Sequence, residues 1–264
     1  MISRALLDQV SAIATVAGER ILEVYGTNFA VDTKDDASPV TAADLAAHRE
    51  IIARLRKLEP KLPILSEESA AVPFAERSRW SRYWLVDPLD GTREFVKRNG
   101  EFTVNIALVD DGAPVLGVVH VPVTGVTYLA ARGVGAFRAE SGAQATPIKV
   151  RMPAAKPPVV VGSRSHAGAS LASYLKALGE HELVSVGSSL KFCLVAEGAA
   201  DCYPRFGPTS EWDTAAAQCV AEVAGADVTD LHGLRLRYNT DESLLNPHFI
   251  VCADPAFRAA LQGL

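Results

Sequence analysis

The sequence lacks most of the features that would assign it to a specialised class. Only four of its 264 residues are cysteine (Cys193, Cys202, Cys219 and Cys252), and no two of them stand in a C-x-x-C arrangement. All four have apolar neighbours, so they are expected to be reduced and mostly buried, which favours a cytosolic setting without a disulfide framework. A chain of this length buries roughly 70–75% of its unfolded surface and needs no covalent staple to fold. No run of about 18 apolar residues occurs, so no membrane-spanning helix is expected. The stretch Met1–Asp8 also lacks the apolar core of a signal peptide. There is no basic block: 26 Lys and Arg stand against 31 Asp and Glu, for a net charge of −5. This argues against a nucleic-acid binder. It leaves room for a small anionic ligand, because a bound metal can supply positive charge. No internal repeat and no low-complexity segment is present. Membrane association at the cytoplasmic face of the inner membrane remains an alternative to a free cytoplasmic location.

What is present is an ordinary globular balance, 48% hydrophobic and 22% charged. Leu7, Val10, Ala14, Ala17, Ile21 and Val24 recur at helical spacing among charged residues, which predicts an amphipathic helix over about 4–24. A second helix is predicted after Thr41, with Thr41 and Asp44 at capping-box spacing and Asp standing in for the usual Glu. Beyond Pro60 the pattern becomes strand-rich. Runs at 63–65, 83–86, 102–109, 115–121, 126–131 and 136–138 are joined by short turns, which predicts antiparallel neighbours. Three prolines between Met152 and Pro158 break this rhythm. They suggest a boundary between an N-terminal α+β domain, 1–152, and a C-terminal α/β domain, 153–264. In the second part, strands at 159–161 and 183–186 alternate with helices near 171–178, 190–196 and 214–223.

The chemistry concentrates at Asp87-Pro88-Leu89-Asp90-Gly91-Thr92, which directly follows an apolar strand. Proline interrupts the ladder and glycine permits a tight turn, so two carboxylates converge at a strand end with backbone carbonyls between them. Hard cations such as Mg²⁺ take oxygen ligands of this kind, and two of them about 3.5–4 Å apart can clamp a phosphate. A D-x-x-D pattern alone is equally well an ordinary turn. It is accompanied by Glu67-Glu68 after another short strand and by Asp213 at the start of a helical run. Asp213 could equally be a helix N-terminal acid favoured by the macrodipole.

Three segments together carry a resemblance. Ser66-Glu67-Glu68-Ser69, Trp84 through Thr92, and Trp212-Asp213-Thr214-Ala215-Ala216 resemble, in order, the signatures of the inositol monophosphatase superfamily. The resemblance implies a five-layer α-β-α-β-α sandwich, Mg²⁺ dependence with two or three ions per site, and sensitivity to Li⁺. It implies that Glu67, Asp87, Asp90, Asp213 and the carbonyl of Leu89 are metal ligands. Thr92 and Asp44 would orient the attacking water with help from Glu67, beside the capping role of Asp44. The implied reaction is phosphomonoester hydrolysis by metal-activated water, with no nucleophilic serine or cysteine.

The substrate must be read elsewhere. The charged run 92–105 and the segments Gly162–His166, Gly187–Phe192 and Tyr203–Thr209 are similar to the bisphosphate nucleotidase branch, over nearly the full length. Arg93 stands where relatives often carry lysine, which preserves charge. That likeness implies hydrolysis of adenosine 3′,5′-bisphosphate, with 3′-phosphoadenosine 5′-phosphosulfate as a second substrate and a link to sulfur assimilation. The implied substrate-binding set is Asp90, Gly91, Thr92, His166, Gly187, Ser188, Ser189, Lys191, Arg205 and Asp213. On the residues alone, Ser188 and Ser189 would open a helix whose free amides suit an anion. Lys191 is equally readable as a solvated surface lysine, His166 as a helix cap and Arg205 as a structural loop residue. The expected partner is a small nucleotide, on a monomer or homodimer. An inositol or sugar phosphatase and a non-catalytic phosphonucleotide sensor are the alternatives.

Overall fold

The computed structural model describes residues 2–28, 30–33, 39–164 and 168–261. Helix α1 (Arg4–Tyr25) starts at Ser3, whose Oγ accepts from the Leu6 amide at 3.1 Å, and its apolar stripe from Leu7 to Ile21 is buried. A short antiparallel pair, β1 (Val31–Thr33) and β2 (Pro39–Thr41), leads into α2 (Ala42–Leu55). The Thr41–Asp44 capping box expected from the sequence is formed.

Seven strands then make one sheet in simple sequence order: β3 (Ile64–Ser66), β4 (Arg82–Asp90), β5 (Thr103–Asp110), β6 (Ala113–Val121), β7 (Val126–Ala131), β8 (Gly135–Ala139) and β9 (Thr146–Pro147). All neighbours are antiparallel except β3 and β4. A 3₁₀ turn, Glu67–Ser69, and α3 (Phe74–Arg77) make the parallel crossover between those two, and α4 (Thr92–Val96) follows β4.

The second sheet contains β10 (Val159–Ser163), β11 (Glu182–Val186), β12 (Cys202–Arg205), β13 (Asp227–Asp230) and β14 (Phe249–Cys252), ordered β11-β10-β12-β14-β13. Helices α5 (Ala169–Leu178), α6 (Leu190–Ala196), α7 (Glu211–Val223) and α8 (Ala256–Ala259) accompany it. The strand–helix alternation predicted for this half gives parallel pairing only around β10. Strands β13 and β14 add in antiparallel fashion, because a helix-free loop connects them and allows a direct return.

Side-chain alternation along the strands separates three cores. On one face of the first sheet, Trp84, Val86, Val104, Ile106 and Leu108 pack against α1 and α2. On its other face Tyr83, Leu85, Ala107, Val109 and Val119 meet α6 and α7, which on their far side meet Val161, Tyr203, Phe249 and Val251 of the second sheet. Beyond that sheet Cys202, Ile250 and Cys252 pack with Tyr174 of α5 and Phe257 of α8. The order is helix, sheet, helix, sheet, helix: the expected five-layer sandwich. All four cysteines are free and buried.

The middle layer is thin because its residues are small. Helix α7 presents Ala215, Ala216, Ala217 and Ala221 to the core. It lies so close to β6 that a Cβ on Gly117 would come 2.1 Å from the Ala216 carbonyl oxygen and 2.8 Å from Cys219 Cβ. Helix α7 cannot keep its seat against any larger residue at 117. We expect Gly117→Val to cost at least about 1–3 kcal/mol, the usual cost of overpacking, read as a lowered midpoint in urea unfolding. An unchanged midpoint would contradict the close seating of α7.

Candidate active site

Three element ends converge where the two sheets face each other across α6 and α7. The first is the end of β4. Its ladder with β5 slips between Asp87, opposite Asn105, and Asp90, opposite Thr103, so Pro88 and Leu89 bulge out of register. The Leu89 amide donates to Asp87 Oδ1 at 3.0 Å. Gly91 then turns the chain with φ +92°, a conformation that strains any other residue. The second is the 3₁₀ turn that starts at Glu67 after β3. The third is the first turn of α7, where Asp213 Oδ2 accepts from the Ser210 amide at 2.9 Å in a capping box. The helix-acid reading of Asp213 and its role in the cluster therefore hold together.

One carboxylate oxygen each from Asp87, Asp90 and Asp213 lies within 4.8 Å of the others. Glu67 adjoins Asp87 closely enough for a direct side-chain hydrogen bond as well as a charge effect. Burial pushes the Asp87 carboxyl well above its ordinary range, and the charges of Glu67, Asp90 and Asp213 push it further. Asp213 is raised for the same reasons, burial first and then Asp90, with the Arg205 charge opposing. Asp90 is raised by burial against the pull of Lys191 and Ser189. Like-charged carboxylates at this distance repel each other unless protonated or neutralised. Converging oxygen-only donors are the set that a hard divalent cation takes. The residues fit a metal.

Asp90 is the most tightly held. Its Oδ2 accepts from the Ser189 amide at 2.6 Å and the Ser189 hydroxyl at 2.8 Å, with Thr103 Oγ1 and Asn105 Nδ2 each at 3.4 Å. Ser189 Oγ also lies 2.5 Å from the Asp213 carbonyl oxygen and takes a hydrogen bond from Asn105 at 2.9 Å. Ser189 therefore supports the acidic cluster. Its amide is occupied by Asp90, which corrects the expectation of a free amide for an anion, and α6 is only a short helix of 7 residues.

Thr92 sits at the start of α4 with its hydroxyl 3.3 Å from Asp44 Oδ1 and 3.3 Å from the Leu89 carbonyl oxygen. The second oxygen of buried Asp44 accepts from the Thr41 amide and hydroxyl, both at 2.7 Å. The cap thus turns Oδ1 toward Thr92.

Glu67, Asp90, Gly91, Thr92, Gly187, Ser188, Ser189, Lys191, Arg205 and Asp213 all line one cavity of about 260 Å³. Asp87 and Asp44 lie behind its wall, and His166 lies outside the described residues. Lys191 is 6% exposed, so the surface-lysine reading is overturned. Its Nζ donates to the Ser188 carbonyl and lies 5.5 Å over the Tyr203 ring. Burial pulls its pKa down to about 8, with Asp90 opposing. Arg205 is also buried: Nη2 donates to the Pro208 carbonyl at 2.8 Å, while Nε has no hydrogen-bond partner among the described residues. Its loop-bracing role and its place on the cavity are both real. Ser188, with φ +48°, and Thr209 likewise carry buried hydroxyls without partners among the described residues.

Thr103, Asn105 and Asn246 escape a motif-based reading. Asn246 Nδ2 braces the start of α7 through the Ser210 carbonyl at 2.8 Å and Thr214 Oγ1 at 3.1 Å. Thr103 and Asn105 did leave a signal: two polar residues, two apart, in an otherwise apolar buried strand.

The model of the inositol monophosphatase family matches residues 4–260. The chain belongs to that family. Curated relatives named 3′(2′),5′-bisphosphate nucleotidase CysQ are 56% identical in Escherichia coli strain K12 and 54% in Salmonella typhimurium, each over 93% of this chain and 99% of the relative. The crystal structure of CysQ from Bacteroides thetaiotaomicron, described as a bacterial member of the inositol monophosphatase family, superposes with a TM-score of 0.83 at 41% identity. It covers 95% of this chain and 98% of that one. Family membership makes the chain a metal-dependent phosphatase, and the acidic cluster is where a metal fits. Among the described residues no helix is long and apolar enough to cross a membrane.

The raised carboxyls set a sign for pH. Asp87 and Asp213 bind protons more tightly folded than unfolded, so their contribution to stability falls as pH rises above the ordinary carboxylate range. A divalent cation removes that loss by taking the place of the protons. The rise in Tm on adding Mg²⁺ should therefore be larger at about pH 8 than at about pH 5. In chelator, Asp87→Asn should raise the Tm at the higher pH and abolish the Mg²⁺ response. An Mg²⁺ shift independent of pH would contradict this account.

Proposed function

We propose that this chain is a 3′(2′),5′-bisphosphate nucleotidase that removes the 3′-phosphate of adenosine 3′,5′-bisphosphate, with 3′-phosphoadenosine 5′-phosphosulfate as a second substrate. What carries the reading is that one cavity holds both the acidic cluster and two buried cations, Lys191 and Arg205. A monophosphate ester needs only the metal side. Buried cations beyond it suit a substrate with a second phosphate, whose charge would repay their desolvation. The identity to nucleotidases over nearly the whole chain supports the same substrate.

Glu67, Asp87, Asp90, Asp213 and the Leu89 carbonyl would hold Mg²⁺, two or three ions in all. When bound, the ions neutralise the phosphate dianion, acidify water and stabilise the leaving alkoxide. The chain's own groups do the positioning. Thr92 Oγ would accept a hydrogen bond from the attacking water while donating its own hydrogen to Asp44 Oδ1, 3.3 Å away, so the water proton would have an acceptor chain ending on a buried carboxylate. Water attacks phosphorus and forms the new P–O bond of inorganic phosphate, the P–O3′ bond breaks, and the departing 3′-oxygen takes a proton from solvent water to give AMP as the nucleotide product. Lys191, Arg205 and Ser188 would hold the 5′-phosphate, and His166 would face the base. Gly91 and Gly187 would let the backbone approach the nucleotide. The aligned Thr92–Asp44 pair argues against a silent sensor, which has no need to orient water.

Three measurements test this. In Mg²⁺, kcat/KM for adenosine 3′,5′-bisphosphate should exceed that for inositol 1-phosphate by about a hundredfold or more, the discrimination expected when unpaired buried cations meet the smaller ligand. Equal or inverted preference would overturn the substrate. Lys191→Ala should raise KM for the bisphosphate about tenfold, the loss of one charge-assisted hydrogen bond, and leave a simple phosphate ester little changed. Equal effects on both would make Lys191 structural. Asp90→Asn should abolish turnover at ordinary Mg²⁺ concentrations.

A further inference from the structure

Glu101 has no part in the site as described, and it does not line the cavity. It lies in the loop between α4 and β5, and three donors converge on its carboxylate. Arg164 gives Nε to Oε2 at 2.8 Å and Nη2 to Oε1 at 2.7 Å, and the Gly187 amide donates to Oε2 at 2.9 Å. Arg164 Nη2 also reaches the Ser185 carbonyl at 2.7 Å, so the clasp grips the end of β11 on both sides of Val186.

The clasped turn can lie there only because residue 187 is glycine. A Cβ at that position would come 2.7 Å from both the Glu101 carbonyl oxygen and Glu94 Cγ. The next residue, Ser188, holds φ +48°, which a non-glycine residue adopts only when its surroundings compel it. The residue after that donates its amide and hydroxyl to Asp90 Oδ2, at 2.6 and 2.8 Å. Two amides of one turn are thus each held by a carboxylate: Gly187 by Glu101, and Ser189 by Asp90.

We propose that Glu101 is a positioning residue for the metal site. Held by Arg164, it fixes the Gly187–Ser188 turn so that Ser189 presents both donors to Asp90 and keeps that carboxylate aimed into the acidic cluster. The Arg164–Glu101 pair is partly exposed, with side chains 47% and 21% accessible, so its own contribution to global stability is small. Its effect is geometric and passes through Ser189, the direct partner of Asp90; direct partners of a ligating carboxylate typically matter about 10–100-fold in metal affinity, which sets the ceiling for Glu101. The inference rests on Asp90 being a metal ligand, as proposed above.

Calorimetric titration of the full chain with Mg²⁺, free of nucleotide, tests it with three variants. Glu101→Ala should weaken Mg²⁺ binding by up to about tenfold, the lower end of the effect of a direct partner, with the Tm in chelator within a few degrees of the parent. Glu101→Gln, which can still accept from Gly187, should recover most of the affinity. Asp90→Asn should lose Mg²⁺ binding. Parent-like affinity in Glu101→Ala beside a loss in Asp90→Asn would overturn the role of Glu101 alone. Equal weakening by Ala and Gln would overturn it too, because the effect would then be one of charge. Parent-like affinity in Asp90→Asn would instead overturn the metal-site reading on which the inference rests.

Discussion

Mutual repulsion among a few closely placed carboxylates is the constraint to which the rest of this structure answers. Asp87, which is buried, and Asp90, Asp213 and Glu67, which line the cavity, are brought together where each raises the energy of the others. No local element gains from such an arrangement. It persists because the four acids are fastened to three separate pieces of rigid scaffold: a strand bulge that carries both Asp87 and Asp90, the turn after the neighbouring parallel strand, and the first turn of a helix packed between two sheets. The sandwich supplies the holding force through its apolar layers, and a cation can collect the electrostatic return.

Much of this was legible in the chain. The first helix, the Thr41–Asp44 cap, the antiparallel run and helices α6 and α7 follow from periodicity and turn residues. The acidic residues announced themselves by standing directly after apolar strands. The ends of the second sheet did not: β13 and β14 are short, and their pairing depends on neighbours distant in sequence. The role of Ser189 was hidden for a related reason. A serine before a helix reads as a cap or an anion donor, and only the tertiary structure shows that a carboxylate 99 residues earlier takes its amide and hydroxyl. Lys191 was ambiguous because burial of a lysine leaves no mark in a short helix whose other faces are apolar. The residues 165–167, which include His166, lie outside the described structure.

Ser189 and Glu101 together show how the two sheets share one site. Asp90 belongs to the first sheet, and the turn that braces it belongs to the second. Thr92 and Asp44 make a comparable join on the other side, where a helix cap leaves one oxygen for the hydroxyl beside the acidic cluster. In both cases an ordinary local device, a helix start or a tight turn, has one valence left over, and that valence reaches the wall of the cavity that holds the acidic cluster.

The contact between Gly117 and the Ala216 backbone has a consequence for how such a protein can diverge. The separation of α7 from β6, and with it the height of Asp213 above the strand layer, is set there by main-chain atoms that have no rotamers to adjust. The outer helices can trade side chains of similar volume and drift over time. The middle layer acts as a fixed spacer, so variation in this scaffold should accumulate from the outside inward while the distance between its acids stays the same.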